Sequence, residues 1–281
     1  MNVKIDDRIH VRDIQFFNNF QLSLRYDSVG SLFSFDFYFD PKNPQHRETA
    51  CISHFHEAIV QHNGETLVTG YILQQAFSYK SQKTLTKLSG YSKPGVLEDC
   101  AIPKELYPIQ WDGLNLAEIT QKLLAPFKLK FQVDPAVSAR VNKPYSTVKA
   151  EVGQTIKDFL NKLASDRNII ISHDVYGNLL YTQANTKAAP LVYFDGTQNG
   201  VEMSLTFNGQ GIHSEITVMK QADSDGGNAG EITIKNPYCP IVYRPTVVTQ
   251  GSGDDNDTQE AARSALSKEL QAAINLNITA C

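Results

Sequence analysis

Residues Leu32 to Phe39 read Leu-Phe-Ser-Phe-Asp-Phe-Tyr-Phe, with Phe33, Phe35, Phe37 and Phe39 at every second position. A period of two puts all four rings on one side of a pleated strand, and that side must be covered by a core. The stretch from Gln15 to Arg25 repeats the device with Phe20, Leu22 and Leu24. Asp40-Pro41-Lys42-Asn43-Pro44 then breaks the pairing, because proline removes a ladder donor and fixes φ. Strands are expected at Phe55–Val60, Thr66–Ile72 and Ala76–Leu88, with Asn63-Gly64 as a turn signal. Short strands at regular spacing imply a sandwich or a barrel rather than a parallel α/β sheet.

The middle of the chain changes period. Asn115 and Glu118 form a capping-box pattern ahead of Leu116, Ile119, Leu123 and Leu124, a helical stripe closed by Pro126. A strand is expected at Lys128–Val133. A second helix is expected from Gln154 to Asp166, its apolar face made of Ile156, Phe159, Leu160 and Leu163. Ile169–Ile171 and Leu179–Tyr181 flank a hairpin loop at Asp174–Asn178. These elements make a compact α+β unit from Ile102 to Gln183. The last third returns to strands at Pro190–Phe194, Val201–Phe207, Ile212–Met219 and Ile241–Val248. Polar loops are expected at Asp223–Asn228 and Gly251–Asp257. Asp257 with Glu260 is expected to cap a final helix carrying Ala261, Ala265, Leu266, Leu270 and Ile274. Asn275 to Cys281 reads as the opening of a strand that should continue.

With 281 residues, 41% hydrophobic and 20% charged, the chain can bury a core and is long enough for about two domains. Its formal charge of −4 lacks the basic excess that gripping nucleic acid by its phosphates requires. No apolar run approaches the ~18–20 residues of a membrane span, and the start MNVKIDDRIH carries no secretory pattern.

Residues with chemistry are scattered. Cys51, Cys100, Cys239 and Cys281 lack CxxC spacing and read as reduced thiols. His54 and His56 fall on one face of an expected strand, with His46 and Glu57 near in sequence, but nothing marks a third metal ligand. They are expected to be surface or interface histidines, able to titrate near neutrality. Asp223, Asp225, Asp254, Asp255 and Asp257 do not follow EF-hand spacing. There is no GxSxG elbow, no phosphate-cradling loop and no dinucleotide fingerprint. The 14 Phe and 12 Tyr alternate within strands, which suits sheet packing better than base stacking. The expectation is therefore an assembly or binding protein, with no catalytic, cofactor-binding or metal residues assigned and no cofactor.

The segment Leu88-Ser89-Gly90-Tyr91-Ser92-Lys93-Pro94-Gly95-Val96-Leu97-Glu98-Asp99-Cys100 resembles a signature of phage tail baseplate hub proteins, the Mu-like 43 kDa tail proteins related to the T4 hub and to the N-terminal part of type VI secretion spike proteins. Tyr91 stands where that family commonly has arginine. The order of later motifs is also similar to the family: Trp111-Asp112-Gly113-Leu114 before a helix, Ala125-Pro126-Phe127, Lys143-Pro144-Tyr145, Phe159-Leu160, the Asp174–Leu179 hairpin and Tyr243-Arg244-Pro245.

The resemblance implies an α+β, mainly β chain of two similar β-barrel domains with a small α+β domain inserted between them. The expected division is 1–101 for the first barrel, with 200–222 as a candidate to complete it. The α+β domain follows at 102–185, and a second barrel at 186–281 that ends incomplete, since family members run longer at the C-terminus. It further implies a homotrimeric ring joining a hexameric tail tube to a trimeric central spike in the virion baseplate, assembled in the bacterial cytoplasm, with other baseplate proteins as neighbours. DNA would pass through the lumen without specific binding. Two other readings, a tail-borne cell-wall hydrolase and a glycan- or receptor-binding module, are carried as alternatives.

Overall fold

The computed structural model describes residues 2–6, 11–14, 19–51, 55–80, 83–185, 188–189, 201–220, 230–239, 242–250 and 255–280. The chain is mainly β and opens with seven strands and a short helix: β1 (Asn2–Asp6), β2 (Val11–Ile14), β3 (Asn19–Ser23), β4 (Leu32–Tyr38), α1 (Pro44–Thr49), β5 (Glu57–His62), β6 (Glu65–Lys80) and β7 (Lys83–Ser92). They form one antiparallel sheet in the order β2-β1-β5-β6-β7-β4-β3, curled into a half-barrel.

The Phe run behaves as its period requires. Phe33, Phe35, Phe37 and Phe39 are buried with Val3, Val60, Val68, Ile72 and Leu88, and half-buried Phe20 and Leu22 join them from β3. The other face carries Gln21, Ser34, Asp36, Gln74, Lys87 and Ser89, with Ser34 facing Gln21 and Ser89 across the ladders. Two glycines let β6 and β7 close under Phe33. A Cβ on Gly90 would lie 1.9 Å from the Tyr71 carbonyl oxygen and 2.8 Å from the Phe33 ring.

Three expectations change here. Strands β1 and β2 lie ahead of the first segment the alternation picks out. The break at Asp40–Pro44 leads into a helix, Pro44–Thr49, whose N-cap Asn43 accepts from the Gln45 N–H at 2.9 Å. Thr66–Ile72 and Ala76–Leu88 are not separate strands: β6 runs unbroken from Glu65 to Lys80 and β7 starts at Lys83. A bulge between Ile72 and Gln74 shifts the alternation by one, so the pattern looks interrupted while the strand continues.

The α+β unit follows: α2 (Val96–Asp99), β8 (Gln110–Asp112), α3 (Leu116–Leu124), β9 (Phe131–Val133), α4 (Ser138–Val141), β10 (Thr147–Lys149), α5 (Ile156–Ser165), β11 (Ile170–His173) and β12 (Leu179–Thr182). Its core gathers Leu116, Ile119, Leu123, Ile156, Phe159, Leu160 and Tyr181, as the helical stripes require. The capping box is reciprocal. Glu118 N–H donates to Asn115 Oδ1 at 2.9 Å, and Asn115 N–H donates to Glu118 Oε2 at 2.8 Å. The strand expected from Lys128 begins only at Phe131, because Lys128 takes a left-handed φ of 55° to end the preceding turn.

The last third holds β13 (Val201–Phe207), β14 (Glu215–Lys220), β15 (Glu231–Lys235), β16 (Pro245–Gln250), α6 (Asp255–Ala273) and β17 (Ile274–Ala280). Strands β15-β14-β16 make a small sheet covered by α6, with Ile216 and Val218 fully buried. Strand β13 pairs with β17 in a separate two-stranded ribbon. Residues 201–220 therefore pair within this last third and not with the seven-stranded sheet. The final helix starts at Asp255, ahead of the expected Asp257 cap, and β16 starts at Pro245 rather than Ile241. The strand expected at Pro190–Phe194 and the loop at Asp223–Asn228 lie outside the described residues.

Candidate functional site

The two histidines of the His54-Phe55-His56 segment are not both described. Residue His54 lies outside the described residues. His56 precedes β5, follows Phe55 at a left-handed φ of 46°, and is buried rather than superficial. Its Nε2 lies 2.9 Å from the Glu48 carbonyl oxygen, which can only accept, so the ring donates there and ties β5 to α1. His46 Nδ1 accepts from the Asp40 N–H at 3.0 Å. Among the described residues no three His, Cys, Asp or Glu side chains gather as a metal site, and Cys51, Cys100 and Cys239 form no disulfide with one another. Cys281, Asp223, Asp225 and Asp254 lie outside the described residues, while Asp255 and Asp257 open α6. No helix among the described residues is long and apolar enough to cross a membrane.

One pair has the spacing of a nucleophile and its base, and sequence reasoning missed it because 142 residues separate the partners. Ser31 Oγ lies 2.7 Å from His173 Nε2, and His173 Nδ1 is 2.9 Å from the Asp174 carbonyl oxygen. That carbonyl makes Nδ1 the donor, leaving Nε2 to accept the Ser31 hydroxyl proton. Ser31 is 0% exposed, however, and its Oγ also accepts the Arg25 N–H at 3.0 Å. A nucleophile needs an approach path for substrate; this hydroxyl is enclosed by the chain and acts as a fastening.

The fastening has company. Thr69 Oγ1 donates to the Val175 carbonyl at 2.9 Å, and Tyr26 OH donates to that of Gln183 at 2.9 Å. Lys93 bridges Glu57 at 2.7 Å while its stem packs on Gly177, whose added Cβ would lie 2.9 Å from it. The Asp174–Asn178 loop is stiff in its own right: Asp174 Oδ1 accepts from the N–H groups of Tyr176 and Asn178 at 2.9 and 2.8 Å. The hairpin thus plugs the α+β unit onto the loop before β4 and onto β6. Helix α6 meets the α+β unit more sparingly, through Lys268 Nζ to Ser165 Oγ at 2.7 Å and Asn168 to Glu260 at 3.5 Å, and meets the loop before β4 through Gln271 to Asp27 at 3.4 Å. A cleft of about 960 Å³ lies between them, and burial there lowers the Lys268 pKa, with nearby Asp166 opposing.

Two exposed surfaces stand out among the described residues. One such surface is the polar face of the half-barrel, with a groove of about 650 Å³ running past Gln21, Ser34, Gln74 and Ser89. Another is the β13/β17 ribbon. Met203, Leu205, Phe207, Ile274 and Leu276 are large, apolar and 45–71% exposed. The alternation in Val201–Phe207 signals a strand, but whether its apolar side is covered depends on other segments and cannot be read locally.

Residues 94–183 match the family described as "Baseplate hub protein gp44-like, second domain". No curated protein sequence matches the chain. Among solved structures, the 43 kDa tail protein of prophage MuSo2 from Shewanella oneidensis superposes with a TM-score of 0.76 at 19% identity, over 98% of this chain and 81% of that one. The tail protein from Neisseria meningitidis MC58 gives 0.76 at 18% identity, over 99% and 80%. Prophage tail protein gp18 from Listeria monocytogenes EGD-e gives 0.62 at 11% identity, over 99% and 80%. The matched segment coincides with the α+β unit and its lead-in Pro94-Gly95, where the sequence resemblance is densest. Residues 94–183 are therefore similar to the second domain of gp44-like baseplate hub proteins, set in a chain that shares its fold with the prophage MuSo2 and Neisseria meningitidis tail proteins.

Proposed function

We propose that this protein is a structural hub of a phage tail baseplate or tail-like injection machine, forming a trimeric ring that joins a hexameric tube to a trimeric spike. The carrying observation is the gp44-like second domain fastened to an open half-barrel whose edge strands β2 and β3 do not pair with each other among the described residues. Unpaired edges invite strand pairing with another chain, and closed rotational symmetry stops that pairing from running on into fibres. The ring would hold two barrel-like units per chain, one on the seven-stranded sheet and one on the sheets of the last third, with the α+β unit between them at 102–185. Six such units would match a sixfold tube and three chains a threefold spike. With −4 per chain, three copies carry −12, so a polyanion crossing the lumen would not be gripped.

The enclosed Ser31 supports a role without bond-making. Two assays test the reading together. Sedimentation with the tail tube protein from the same particle should bring this protein down with assembled tubes. Purified peptidoglycan should keep its turbidity at high protein concentration. Clearing of the peptidoglycan, or a failure to sediment with tubes, counts against the reading.

A further inference from the structure

The hairpin that seats the α+β unit on the half-barrel is held by a ring whose two nitrogens have opposite duties. His173 Nδ1 must donate to the Asp174 carbonyl oxygen, so in the neutral ring Nε2, 2.7 Å from Ser31 Oγ, can only accept. Ser31 Oγ already receives the Arg25 N–H at 3.0 Å, and among the described residues His173 Nε2 is the acceptor for the Ser31 hydroxyl proton. The seat cannot follow the ring. Ser31 N–H donates to Ser92 Oγ at 3.0 Å, Ser92 N–H donates to the Ser31 carbonyl at 2.9 Å, and Ser92 Oγ donates on to the Val29 carbonyl at 3.0 Å. Ser31 and Ser92 are both 0% exposed, so bulk water does not replace a lost partner. A protonated ring donates from both nitrogens. Its Nε2–H would point at a hydroxyl whose own proton has no acceptor, and a buried donor left unpaired opposes the docked state.

The charged groups on the surrounding elements are already engaged. The Asp174 carboxylate accepts from the Tyr176 and Asn178 N–H groups, from Asn178 Nδ2 at 2.7 Å and from Gln132 Nε2 at 3.0 Å. On α2, Glu98 pairs with Lys157 at 2.9 Å and takes the Ser28 hydroxyl at 3.2 Å, and Asp99 accepts from Tyr91. Lys93, whose stem packs on the hairpin at Gly177, pairs with Glu57 at 2.7 Å. On the loop before β4, Asp27 accepts from Gln271 at 3.4 Å, and Arg25 adds a positive charge. An imidazole gains its proton as pH falls through the range around neutrality, where these other groups keep their charge.

We propose that the Ser31–His173 contact is a proton-operated latch, which holds the α+β unit against the loop before β4 while the imidazole is neutral and lets that loop go when the imidazole takes a proton. The contact is complete on the alkaline side and is lost as pH falls. The Thr69 and Tyr26 hydroxyls donate to the Val175 and Gln183 carbonyls whatever the charge on His173, so release loosens the joint and leaves the α+β unit tethered. A rigid joint becomes a looser one in acid without either body unfolding. The latch lies within one chain and does not depend on trimer formation.

The test uses the full chain and first needs no variant. At about pH 7.5, NMR of the imidazole nitrogens should show His173 with its proton on Nδ1, and at about pH 5 with both nitrogens protonated. Over the same interval, hydrogen-exchange protection of the Arg25, Gly30 and Ser31 amides, corrected for the intrinsic effect of pH, should fall at least tenfold, while residues 116–124 keep theirs. His173→Gln retains an acceptor for the Ser31 hydroxyl but takes no proton, so it should protect those amides equally at both pH values. A neutral His173 carrying its proton on Nε2, or wild-type protection that is unchanged in acid, overturns the latch. The same loss of protection in a folded His173→Gln also overturns it, since the acid response then belongs to other groups.

Discussion

Arg167 lies almost wholly buried, its guanidinium 3.4 Å above the centre of the Tyr145 ring, while its nitrogens donate to the carbonyls of Arg140, Lys143 and Pro144. A planar fork suits three carbonyls and a ring face together, which a lysine ammonium cannot do. Arg167→Met is expected to strand those carbonyls and cost about 2–4 kcal/mol in urea unfolding, and Arg167→Lys should recover little of it. Charged residues are usually exposed, so no local pattern marks this one as interior; the Phe33–Phe39 run is legible because its spacing alone demands burial. Tyr181 makes a prediction of the opposite kind. Burial raises its pKa above the ordinary 10.0, and the Thr120 hydroxyl, 2.6 Å away, offsets only part of that. A raised folded pKa means the stabilisation is complete below pH 10.0 and is lost as pH climbs beyond it, because the unfolded chain ionises first. Lys268, with its lowered pKa, works in the other direction as the pH rises. Tyr181→Phe, which removes the hydroxyl bonded to Thr120, should be less stable than wild type near neutrality, and thermal melts above pH 10 should show that gap narrowing.

Among elements, α3 was fully written in the sequence, since its cap, its stripe and its stop lie within a dozen residues. Removing the reciprocal cap by Asn115→Ala is expected to cost about 1 kcal/mol, read as a shift of the urea midpoint without a change in slope. The β6–β7 hairpin was legible only in part. The bulge after Ile72 disguises one long strand as two, because a phase shift in the alternation has no local marker. Gly90 shows how closely these strands approach, and Gly90→Ala should destabilise the fold by more than 2 kcal/mol, since the added methyl meets backbone and a buried ring. His56 was misread for a similar reason. Treating His54-Phe55-His56 as a strand assumes extended backbone, and the left-handed turn at Phe55 sends His56 inward instead.

At the scale of the molecule, the helices and hairpin of the α+β unit are legible in sequence because they share a core drawn mostly from neighbouring segments, whereas the partnerships of the last third depend on contacts between distant segments. The hairpin plug ties the gp44-like domain to the half-barrel. His173→Ala should loosen that plug, leaving Ser31 without its ring partner, so proteolysis in the loop before β4 should quicken while residues 94–183 stay resistant. The central claim is that shape, through assembly into a ring, is what this protein contributes. Its most direct test is the molar mass of the purified protein in solution, followed over a concentration series by light scattering. The account expects a species near 94 kDa, three copies of a 31.3 kDa chain, that dissociates on dilution. A mass fixed at 31.3 kDa across the whole series would contradict it.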